Sequence, residues 1–141
     1  MIDFDRLEKE KEELRMRFLL AKPFPHLILD TFCDANRVNE LYNTIPDIET
    51  KSRDYVFAAN KFEKSKFAEL SAPLKELYDD LTSEQFGKLL SFICNENVFV
   101  DQKFHGGGIH QGKKNSFLDM HVDFNYHPLH PTRYRNLNLL S

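Results

Sequence analysis

The spacing of apolar positions changes character near residue 97. Before it, apolar residues recur at helical intervals; after it, they alternate with polar ones. Leu7, Leu14 and Phe18 mark one stripe of a stretch rich in Glu, Lys and Arg. That pattern predicts a helix over 3–20, capped by Asp3 or Asp5. Glu8 with Lys11 and Lys9 with Glu13 bring opposite charges together on its surface. Lys22-Pro23-Phe24-Pro25 stops it. His26 to Asp30 reads as a short strand. Asp34 caps a second helix, Ala35 to Thr44, with Val38, Leu41, Tyr42 and Ile45 on one face and Pro46 ending it. Residues 47–60 read as irregular, with a candidate strand at Tyr55 to Ala59. A third helix is expected over 65–80. A fourth, capped by Thr82 or Ser83, runs to Cys94 with Phe86, Leu89, Leu90 and Ile93 buried.

Beyond Asn97, Val98 to Val100 begins a strand and Gly106-Gly107-Gly108 interrupts it. Phe117 to Asn125 and Arg133 to Leu140 read as two more. Helices followed by strands predict an α+β fold, with helices packed on one side of an antiparallel sheet. Leu41, Ile45, Leu74, Leu77, Phe86, Leu89, Leu90 and Ile93 are the expected backing layer. The 141 residues suit a single domain, with 1–97 as a helical support region and 98–141 as core strands.

Composition narrows the classes. A chain that is 41% hydrophobic and 13% aromatic is not a disordered polymer. A net charge of -3 without a basic stripe argues against a nucleic-acid partner. No apolar run approaches the roughly 20 residues of a membrane helix. The charged opening MIDFDRLEKEKEEL is unlike a signal peptide, so a cytoplasmic location is expected, with no membrane partner. Cys33 and Cys94 lack metal-like spacing and read as free thiols.

The candidate chemistry lies in Leu118-Asp119-Met120-His121-Val122-Asp123-Phe124-Asn125. On a strand, Leu118, Met120, Val122 and Phe124 share one face, and Asp119, His121, Asp123 and Asn125 share the other. Taken alone, this alternation also describes an ordinary amphipathic strand. The chemical reading is a metal site. An imidazole nitrogen and a carboxylate oxygen two residues apart can point at one Fe(II), Mn(II) or Zn(II) ion. The triple glycine lacks the Lys-Ser/Thr of a P-loop and suits a bulge or close packing instead.

The surroundings add to this. Gly106-Gly107-Gly108-Ile109-His110 stands upstream, and Arg133-Tyr134-Arg135-Asn136-Leu137-Asn138-Leu139-Leu140 downstream. Together these segments resemble the prolyl-4-hydroxylase-like branch of the Fe(II)/2-oxoglutarate-dependent dioxygenases. The match is dense over 98–141. It is looser at Pro23 to His26, Ile45-Pro46, Asn60-Lys61-Phe62 and Leu81-Thr82-Ser83.

The resemblance implies a double-stranded β-helix (jelly-roll) core and hydroxylation of a C–H bond, with a prolyl residue or a small molecule as substrate. It implies Fe(II), 2-oxoglutarate and dioxygen, with ascorbate as a further candidate. His121 and Asp123 fall on two iron ligands and are the expected catalytic metal site. His110 and Asn138 fall near the cosubstrate; Arg135 matches a recurrent Arg opening the next strand, where a surface salt bridge is as good a reading as a functional role. The family's distal His and its 2-oxoglutarate-binding Arg or Lys would lie past Ser141. The chain is therefore expected to be the N-terminal portion of a longer oxygenase with an incomplete barrel. Weak iron binding and self-association through an open sheet edge are expected of it alone. The alternative is a non-catalytic interaction fragment of the same fold. His127 and His130 read as a Pro-flanked loop; a third iron ligand from His127 is geometrically imaginable, but the family takes it from a later strand. His26 and His105 read as structural.

Overall fold

The computed structural model describes residues 1–49, 58–123 and 125–140. These form two compact units. The first comprises Met1–Pro46 with Lys66–Lys103, the second Asp47–Ser65 with Phe104–Ser141.

The first unit is helical. Asp3 accepts a hydrogen bond from Arg6 N and caps α1, Phe4–Leu20. Asp34 does the same for α2, Ala35–Thr44, through Arg37 N. Ser71 caps α3, Ala72–Thr82, and Ser83 caps α4, Glu84–Cys94. Each cap satisfies an N–H that the helix itself leaves unpaired. Helix α1 packs on α4, and α3 packs on both α2 and α4. Leu7, Leu14, Leu74, Leu81, Phe86, Leu89 and Ile93 form the core, while Leu41, Ile45, Leu77 and Leu90 are only half-buried. Each fully buried side chain stabilises the fold by about 1.5–3 kcal/mol.

Four expectations for this unit are corrected. Helix α2 buries no residue, and Val38 and Tyr42 on its apolar face are exposed. The third helix starts at Ala72, not 65, because Pro73 lacks an N–H and is tolerated only in a first turn. A single 3-10 turn, Phe67–Glu69, precedes it. His26 to Asp30 is irregular, since the Ile28 carbonyl is taken by the Arg17 guanidinium at 3.1 Å. Val98 to Val100 is not a strand either. Ser91 Oγ accepts from Val98 N and donates to Val98 O, both at 3.1 Å, and so occupies the groups a ladder would need.

The second unit holds two antiparallel two-stranded sheets. Strand β1, Ala58–Lys64, pairs with β2, Ile109–Leu118. Strand β3, Tyr126–His127, pairs with β4, His130–Tyr134. Because β1 lies between α2 and α3, the chain does not run helices first and strands afterwards. The candidate strand at Tyr55 to Ala59 contributes Ala58 and Ala59 to β1; residues 50–57 lie outside the described residues, as does Phe124. The glycines precede β2 instead of interrupting a strand. Gly107 N donates to Phe104 O in a turn, and Gly108 adopts φ +109 where the backbone passes Lys64 and Ser65. The architecture is thus mixed helix and antiparallel sheet, and no barrel closes among the described residues.

Candidate functional site

Strand β2 ends at Leu118, so the segment expected to continue to Asn125 leaves the sheet before the His-X-Asp residues. The cause is local. His121 Nδ1 lies 2.8 Å from Asp119 O, a side-chain-to-backbone contact that competes with ladder pairing. The apolar face expected of this strand is not buried. Met120 is 101% exposed and Val122 88%.

Leaving the sheet does not separate the two candidate ligands. His121 Nε2 lies 3.4 Å from Asp123 Oδ1. A carbonyl oxygen can only accept, so Nδ1 of His121 donates to Asp119 O. Nε2 is the ring nitrogen turned toward Asp123. For metal bonds of about 2.0–2.2 Å, two ligand atoms stand roughly 3.0 Å apart at a right angle and about 3.4 Å apart at a tetrahedral angle. The observed 3.4 Å separation matches two ligands of one ion and equally a direct His–Asp ion pair. Asp123 uses its other oxygen elsewhere: Arg135 Nη1 lies 3.1 Å from Oδ2.

Arg135 also reaches Asn138, with Nη2 donating to Oδ1 at 2.7 Å. Its backbone N donates to Asn125 O at 2.8 Å. The strand expected over Arg133 to Leu140 instead begins at His130 and ends at Tyr134. The structure thus joins His121, Asp123, Arg135 and Asn138 in one polar group. His110 sits instead on β2 opposite Glu63 of β1, with Nδ1 3.8 Å from the carboxylate. Burial, and then the Lys61 charge, lower its pKa against the pull of Glu63, which favours the neutral ring.

His105 and His127, read as structural and loop residues, meet edge to face with ring centroids 4.7 Å apart. His130 lies 4.9 Å from His127. Nothing in the local sequence links His105 to the Pro-flanked His127 and His130. The available signal was the crowding of the histidines, since five of the six fall between 105 and 130. Both cysteines are free, and burial raises both thiol pKa values.

No family model, curated protein or solved structure matches this chain. Among the described residues, no helix is long and apolar enough to cross a membrane.

Proposed function

We propose that the chain carries the His-X-Asp half of an Fe(II)/2-oxoglutarate dioxygenase centre of the prolyl-4-hydroxylase-like kind, on part of a jelly-roll core. The observation that supports this most is the 3.4 Å approach of His121 Nε2 to Asp123 Oδ1, with the remaining polar atom of each side chain held by Asp119 O and by Arg135. Those outer contacts fix the tautomer of one ligand and the orientation of the other.

In this reading His121 and Asp123 hold Fe(II), and the bound metal with 2-oxoglutarate and dioxygen supplies the oxidising power for C–H hydroxylation. The chain's own residues bind and orient. Asn138 gives its acceptor oxygen to Arg135, so its amide N–H group is the end that can donate to an anionic cosubstrate. Neutral His110 acts as a hydrogen-bonding group, not as a cation. A prolyl residue or a small molecule is the substrate class, with ascorbate a candidate reductant. Self-association through a sheet edge belongs to the same proposal, and sedimentation of the purified chain tests it.

The deciding experiment is anaerobic Fe(II) titration with and without 2-oxoglutarate. Binding should be weakened in both His121→Ala and Asp123→Ala. Equal binding by the native chain and both variants would refute the assignment.

A further inference from the structure

His105, His127 and His130 belong to the second unit and play no part in the His121–Asp123 group. Their arrangement has a structural cause. Strands β3 and β4 form a tight hairpin in which His127 and His130 are register partners. Pro128 and Pro131 follow these two histidines and restrict the turn. The two rings lie 4.9 Å apart, tilted by 37°. The His105 ring then meets His127 edge-on at 4.7 Å. One ring nitrogen from each of these two residues lies within 4.8 Å of the other. His105 and His127 are half-buried, whereas His130 is exposed and can rotate.

Imidazoles are borderline-soft ligands that suit Zn(II) and Cu(II). Two nitrogens on one such ion stand about 3 Å apart at metal–nitrogen distances of about 2.0–2.1 Å. Side-chain rotation alone therefore brings His105 and His127 onto a common ion, and His130 can follow from across the hairpin. The geometry points to a second divalent-metal site, of the Zn(II) or Cu(II) type, formed by His105, His127 and His130 and independent of the Fe(II) reading. Leu129 N donates to His127 Nδ1 at 3.1 Å. A metal on Nδ1 must displace that contact, and a metal on Nε2 must move the ring proton to Nδ1, which displaces it too.

The test uses the full chain carrying His121→Ala and Asp123→Asn, which removes the first pair. Cu(II) electron paramagnetic resonance should show hyperfine coupling to more than one nitrogen, and Zn(II) calorimetry should show one equivalent bound. His105→Phe with His127→Phe keeps ring volume. It should weaken Zn(II) binding at least about tenfold, the low end of what losing even an outer-shell partner costs. His130→Asn changes only an exposed side chain, so it reports on the site without disturbing packing; it should remove one coupled nitrogen. Unchanged affinity in both sets, or coupling to a single nitrogen in the parent, would overturn the site.

Discussion

Arg135 holds Asp123 by one oxygen while His121 faces the other: Nη1 lies 3.1 Å from Oδ2, and Nε2 lies 3.4 Å from Oδ1. The carboxylate is thereby oriented so that a metal would take Oδ1 alone.

Replacing Arg135 with Ala should leave His121 and Asp123 in place chemically but let the carboxylate rotate. Fe(II) affinity should fall about 10–100-fold, the usual effect of losing an outer-shell partner. Arg135→Lys should fall between, because it keeps the charge but not the fork that spans Asp123 and Asn138. Titration of the three proteins side by side checks the order.

Leu89 is 3% exposed in the helical core. Leu89→Ala should cost about 2–5 kcal/mol in urea unfolding. Val38, on the open face of α2, is 42% exposed, and Val38→Ala should stay within about 0.5 kcal/mol. Comparable losses at the two sites would mean that α2 is covered in solution.

Gly108 cannot carry a side chain at low cost. Its φ is +109, and an added Cβ would collide with the Lys64 carbonyl oxygen and stand 2.7 Å from Ser65 Cα. Gly108→Ala should destabilise the β1–β2 pairing by about 1–3 kcal/mol. Gly107→Ala meets only an ordinary 3.5 Å contact with Phe104 and should be near neutral. Amide hydrogen exchange of β2 distinguishes them.

The Met1 amino group lies 2.7 Å from Glu76 and 2.8 Å from Asp80, and Arg37 also pairs with Glu76. Burial alone would lower the amine's pKa, but hydrogen bonds and charge from Asp80 and Glu76 outweigh it and raise it. Glu76 is lowered, first by its hydrogen bond from the amine and then by the one from Arg37. A lowered carboxylate stabilises the fold above its unfolded pKa, and that gain is lost as pH falls through roughly 4 and below. A raised amine stabilises below its unfolded pKa of about 8, and that gain is lost as pH rises beyond it. Thermal unfolding should therefore show a plateau between these limits, with both flanks flattened in Glu76→Gln. An unchanged profile in that variant would exclude this ion pair as a source of stability.

What the sequence determined by itself was local. Helices α1, α2 and α4 appear with their caps at Asp3, Asp34 and Ser83, because a side-chain oxygen reaching an N–H a few residues ahead depends only on neighbours in the chain. His121 and Asp123 do approach to 3.4 Å, but not through the shared strand face that alternation predicts, since β2 ends at Leu118. The strands were misplaced because a strand exists only where another backbone accepts its hydrogen bonds. Val98 gave its groups to Ser91, Asp119 gave its carbonyl to His121, and β2 found its partner in β1, far away in sequence. Alternation in 118–124 described a face to bury, yet Met120 and Val122 remain in solvent. Tertiary structure alone decided that Arg135 would hold Asp123, and that His105 would meet the hairpin histidines. Both contacts join residues separated by a dozen positions or more, and no spacing rule in the sequence reaches that far.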